Sequence, residues 1–117
     1  FLNGSSDGTG SLSRSTMTAS ETFIGGTSTM TSEGFVPFAG LIDEFAVFDS
    51  VLSASNISAI YNSGVPADLT SYSPVGWWRM GENDSGSDGA TIGTVTDQGS
   101  GGNNATASGA TYSSTTP

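Results

Sequence analysis

The chain has 117 residues and a mass of 11.7 kDa, with two basic residues, Arg14 and Arg79, against eleven acidic ones, a formal net charge of −9. So acidic a surface cannot neutralise phosphates or anionic headgroups, which excludes nucleic acid and membrane surfaces as main partners. With no Cys and no His there is no thiolate, disulfide or imidazole chemistry, which closes most routes to hydrolytic or redox catalysis.

Serine, threonine and glycine together supply 53 of the 117 residues, and 34% of the chain is hydrophobic. A helical bundle is therefore excluded, and a thin core between sheets is expected. No apolar run approaches the ~20 residues of a membrane helix, and the opening FLNGSSDGTG lacks the regions of a signal peptide.

In chain order, FLNGSSDG predicts the end of a strand entering a turn, because Asn3-Gly4 is a strong hairpin signal. A chain opening in mid-fold is expected to be a segment of something longer. ETFIG at 21–25 predicts a strand closed by Gly25-Gly26. The polar stretch 27–34 predicts a loop before Phe35-Val36.

The run from Leu41 to Phe48 is apolar except for Asp43 and Glu44, and a two-residue period leaves both of its faces apolar. It predicts a central strand with two carboxylates among buried neighbours, each needing a cation or several backbone donors. Ala54, Ile57, Ile60 and Tyr61 then form one helical stripe, predicting a helix over about 53–62 that lies on the sheet. Ser53 is its N-cap, and Gly64 with Pro66 its stop. Residues 63–74 have the composition of a linker. VGWWRM at 75–80 predicts a strand with its two Trp on opposite faces, TIGTVTD at 91–97 a second strand, and the end a low-complexity Ser/Thr tail.

The stretch FIGG at 23–26, followed by GLIDEFAVFDSVLSASNISAIYNSG at 40–64, resembles the C-terminal half of the laminin-G-like, concanavalin A-like jelly-roll family. In that family a Gly-x-Ile-Asp-Glu strand, a Leu-Ser turn and a short helix close the domain. VGWWRMGE at 75–82, with VTDQGSGGNNAT at 95–106, looks like the opening of another such domain. The two resemblances run tail then head, as in tandem arrays. Arrays of this kind resemble modules of tail fibres and other virion proteins of marine bacteriophages, and of large bacterial surface adhesins. Alternatively, the VGWWRM strand folds back and completes the preceding sheet.

The resemblance implies sugar or protein binding at loop tips, often with a structural Ca²⁺. Its candidate metal ligands are Asp43, Glu44, Glu82, Asp84 and Asp97. For Asp43 and Glu44 the alternative is bonding to backbone donors or pairing with Arg79. For Glu82 to Asp88, which lacks EF-hand spacing, it is a solvated acidic loop. For Asp97 with Asn103 and Asn104 it is an Asx turn. The candidate glycan contacts are Trp77, Tyr72, Asn103 and Asn104, and the alternative for the aromatics is a place in the core. Neighbours in a strand point to opposite faces, so Asp43 and Glu44 are not expected to form a glycosidase pair. Asn3, Asn56, Asn83 and Asn104 fit the N-glycosylation pattern.

The expected fold is thus all-β, part of an antiparallel laminin-G-like jelly-roll sandwich with one short helix. Residues 1–66 would form the C-terminal part of one domain, 67–74 a linker, and 75–117 the start of a second repeat or a strand completing the first. The expected role is a non-enzymatic structural and adhesive module of a larger extracellular or virion assembly. Its partners would be other repeats or subunits of that assembly and a cell-surface glycan. The alternative is a calcium-dependent carbohydrate-binding domain.

Overall fold

The computed structural model describes residues 1–11, 22–26, 38–81 and 86–115. Two compact units are distinguished, residues 1–8 with 42–117, and residues 9–41, and each is described by itself.

In the larger unit, Leu2 and Ser5 exchange both backbone hydrogen bonds, at 2.9 and 3.0 Å, around the Asn3-Gly4 turn. Asn3 (φ +48) and Gly4 (φ +73) are both left-handed, as the turn that matches strand twist requires. Gly4 also lies against Tyr61, where a Cβ would come within 2.7 Å of the Tyr61 Cβ.

The strand expected over 41–48 is present only as β1 (Phe45–Val47). Glu44 has φ +51, which stops extended geometry before Phe45, and Asp43 Oδ1 accepts the Glu44 N–H at 2.9 Å. This local bond offers the backbone an alternative to the ladder. Leu41 and Ile42 are exposed and Asp43 and Glu44 only half-buried, so the alternating pattern does not extend to the two carboxylates.

Helix α1 (Ala54–Tyr61) begins where its cap predicts, with Ser53 Oγ accepting the Asn56 N–H at 3.1 Å. Its C-cap is Asn62 rather than Gly64. Asn62 takes the left-handed position (φ +44) and a 3₁₀ turn carries the chain on to Gly64. Ile57 and Ile60 are half-buried, Tyr61 is exposed and no residue of α1 is fully buried, so the predicted stripe is not the core.

β2 (Gly76–Trp78) pairs antiparallel with β1, with Phe45 opposite Trp78, Ala46 opposite Trp77 and Val47 opposite Gly76. The Phe45 and Trp78 rings meet at 5.9 Å between centroids. β3 (Thr94–Val95) pairs antiparallel with β4 (Ala105–Thr106), a shorter strand than the sequence at 91–97 predicts. The Ser/Thr-rich end is not a loose tail. Ile92, Tyr112 and Gly89 donate across to Ala110, Ala90 and Tyr112 carbonyls at 2.9–3.0 Å, and Ser114 N–H donates to Asp88 Oδ1.

Among the described residues the buried hydrophobic side chains are Leu69, Trp77 and Val95, at 3%, 4% and 5% exposure. Each comes from a different part of 67–97, so the segment expected to be a linker contributes Leu69 to a core as thin as the composition implies. In the smaller unit, residues 22–26 form no strand: Ile24 to Gly26 make a bend, and the carbonyl of Gly25 (φ +73) accepts the Phe38 N–H at 2.8 Å. The loop 27–34 and the apolar pair Phe35-Val36 lie outside the described residues.

Candidate functional site

Trp77 is the centre around which the candidate side chains gather. As residues i and i+2 on one strand face, Trp77 and Arg79 lie side by side, with Arg79 Cζ 5.0 Å from the indole centroid. Both donate to one carboxylate: Trp77 Nε1 to Glu44 Oε2 and Arg79 Nε to Glu44 Oε1, each at 2.8 Å. The left-handed backbone at Glu44 turns its side chain out of the strand and toward this pair. Of the two roles weighed for Glu44, the pairing with Arg79 is therefore present.

Asp97 holds the other side of Trp77. Its Oδ1 accepts the Trp77 and Gly99 backbone N–H groups and its Oδ2 that of Asn103, all at 2.8 Å. The Asp97 N–H in turn donates to Asn104 Oδ1 at 3.0 Å. The Gly99 bond is the Asx turn weighed from the sequence, and the other two extend it into a nest that ties the loop 97–104 to β2. Asp97 is 8% exposed. Desolvation pushes its pKa up, but the Trp77, Asn103 and Gly99 donors outweigh it, so the carboxyl titrates below the usual range. Gly99 allows the approach: a Cβ there would lie 2.7 Å from Gly76 N and Cα, both backbone atoms. Trp78 Nε1 closes the loop by donating to the Asn103 carbonyl at 3.0 Å.

The predicted residues therefore fall into separate groups. Glu44, Trp77 and Arg79 form one cluster, and Asp97, Asn103 and Asn104 a second that meets it at the Trp77 backbone. Asp43 bonds to the backbone beside the first. Tyr72 is half-buried in the 3₁₀ turn 70–72, outside both. Trp77 is buried, so its ring offers no open face to a sugar. Glu82, Asn83 and Asp84 lie outside the described residues. Among the described residues no group of three or more carboxylates converges as a metal site. Strand alternation is not what separates Asp43 from Glu44, because Glu44 is not extended.

The sequence reading missed Asp97 as a three-donor acceptor. Its signal was the glycine-rich spacing after it, since Gly99, Gly101 and Gly102 let a short loop turn its N–H groups inward. It also missed a cleft of about 260 Å³ beside Asp43 and Glu44, lined by Ile60, Tyr61, Val65 and Leu69. No helix among the described residues is long and apolar enough to cross a membrane.

Neither the comparison with curated proteins nor that with solved structures yields a match. Residues 1–58 match the family Laminin_G_3, described as the Concanavalin A-like lectin/glucanases superfamily. That match takes in β1 and most of α1 and ends before β2, β3 and β4. Together with the antiparallel strand pairing and the one short α-helix among the described residues, it supports a laminin-G-like, concanavalin A-like domain over that stretch, a kind of domain that suggests a binding module.

Proposed function

We propose that the chain is a non-enzymatic structural and adhesive module of a larger extracellular or virion assembly, built on a partial jelly-roll sandwich. The observation that carries this reading is the use to which the polar groups are put. Glu44, Asp97 and the Trp77 indole, the groups best suited to bind a ligand or a metal, bond to one another and to backbone. Such bonds fasten β2 to Glu44 beside β1 and tie loop 97–104 to β2, and they leave little of these three groups' chemistry facing outward. A net charge of −9 on a Ser/Thr/Gly-rich chain favours solubility and resists nonspecific association, as a displayed module needs.

A glycan array probed with the full chain, once with millimolar calcium and once with chelator, tests the proposal. No saturable signal in either condition is expected. Saturable binding that disappears with chelator would replace it by a calcium-dependent lectin.

A further inference from the structure

We infer that Asn3 is a site of spontaneous deamidation, in which the Gly4 backbone nitrogen attacks the Asn3 carboxamide and the isoaspartate that results releases the turn at 2–5 from α1.

Ring closure asks three things of an asparagine: an unengaged carboxamide, a following amide nitrogen without a partner, and no side chain on that next residue to obstruct the approach. Asn3 is exposed. Among the described residues neither its carboxamide nor the Gly4 N–H makes a hydrogen bond, and Gly4 has no side chain. The five other asparagines lack this set. Asn56 lies in α1, where the next N–H, that of Ile57, donates to the Ser53 carbonyl at 3.0 Å. Asn62 Nδ2 donates to the Val65 carbonyl at 3.3 Å, and Asn104 Oδ1 accepts the Asp97 N–H at 3.0 Å. Asn83 and Asn103 are followed by Asp84 and Asn104, whose side chains crowd the attacking nitrogen.

In the reaction the Gly4 nitrogen gives up its proton and bonds to Asn3 Cγ, while the Cγ–Nδ2 bond breaks and ammonia leaves. Water then opens the succinimide at either carbonyl, giving aspartate or isoaspartate. The Leu2–Ser5 bonds, at 2.9 and 3.0 Å, hold Asn3 left-handed, so the ring closes in the molecules whose turn is open. A bridge of two bonds outside any strand opens readily.

Isoaspartate routes the main chain through the former side-chain carbon, which lengthens the turn by one bond of about 1.5 Å. Gly4 has no room for that shift, since even a Cβ there would lie 2.7 Å from the Tyr61 Cβ. The longer loop also misaligns Leu2 and Ser5, so the modified turn lets go of both its own bridge and α1.

Full chain produced without glycosylation and aged in mildly alkaline buffer tests this. Peptide mass spectrometry follows the mass gain of ammonia loss and water uptake at each asparagine, and isoaspartyl methyltransferase labels the isoaspartate. Asn3 is expected to convert on the order of tenfold faster than any other asparagine and to accept the label. Asn3→Gln, which would have to close a larger ring, should erase the signal at that position. In the aged chain NMR should show lost protection of the Leu2 and Ser5 amides and shifted Tyr61 ring signals. Freshly prepared Asn3→Asp, with the same charge on a normal backbone, should keep both.

Conversion first at any other asparagine would overturn the assignment, as would an Asn3 that stays intact throughout. Product at residue 3 that is aspartate alone would also overturn it, because direct hydrolysis needs no ring. Isoaspartate that leaves the Leu2 and Ser5 amides protected would refute the release of the turn.

Discussion

Replacing Asp97 by asparagine exchanges one carboxylate oxygen for an NH₂ group and tests the nest directly. In the native chain Oδ1 and Oδ2 accept three backbone N–H groups at 2.8 Å, in a residue 8% exposed. The substituted amide can keep its oxygen on Trp77 and Gly99, but its NH₂ then faces the Asn103 N–H, donor against donor. A bond to a charged acceptor contributes about 1.5–3 kcal/mol, and an unsatisfied buried donor costs about 1–3 kcal/mol. The expected loss is therefore about 3 kcal/mol at neutral pH, corresponding to a fall in Tm of about 12 °C at ~4 °C per kcal/mol for a domain of this size.

The pH dependence adds a sign. The folded pKa of Asp97 is depressed, so its contribution is fully present above the unfolded value of about 3.9 and is lost as pH falls through the folded value. The gap between wild type and Asp97→Asn should be widest above about pH 5 and should close in acid. Urea unfolding by circular dichroism at several pH values measures both quantities. A loss below about 0.5 kcal/mol, well under the cost of one lost bond to a charged acceptor, would refute the reasoning. So would a gap that does not change with pH.

Trp77→Phe keeps most of the buried ring and removes the Nε1 bond to Glu44; a loss of about 1–3 kcal/mol is expected by urea unfolding. Gly99→Ala drives a Cβ into the Gly76 backbone and should cost about 1–3 kcal/mol, with loop 97–104 shifting first in amide chemical shifts. Ser53→Ala removes the α1 cap at an exposed site and should cost about 1 kcal/mol, visible in Tm. Chelator should leave the melting curve unchanged, because Glu44 and Asp97 already bond to N–H donors. A drop in Tm would instead place calcium on the chain's carboxylates, Glu82 and Asp84 among them.

The elements legible in the sequence were those fixed by local chemistry. Asn3-Gly4 dictates its turn through two positive φ values, Ser53 caps α1, and the alternation in VGWWRM marks β2. The strand over 41–48 was over-extended because hydrophobic periodicity cannot register a left-handed residue. Glu44 is a poor candidate for φ +51 on propensity alone, and it takes that conformation just before β1, where its carboxylate meets Trp77 and Arg79. The Ser/Thr-rich end carried no apolar pattern because its pairing with residues 86–97 is made of backbone bonds, to which side-chain periodicity is blind. The Glu44–Arg79 pair was accessible to sequence reasoning because the chain has only two basic residues. Of the Asp97 nest, only the Asx turn and the glycines that follow were legible, since the Trp77 and Asn103 N–H groups converge there only after the loop has folded.

Hydrogen–deuterium exchange by NMR on the full chain tests the central claim, that Glu44 and Asp97 fasten β2 and loop 97–104 to β1 as one cooperative structure. The Trp77 backbone and indole N–H groups and the Gly99 and Asn103 amides should all be protected and open with one common free energy. Exchange of the Trp77 indole or the Asn103 amide within the dead time, while the rest of β2 stays protected, would contradict the account.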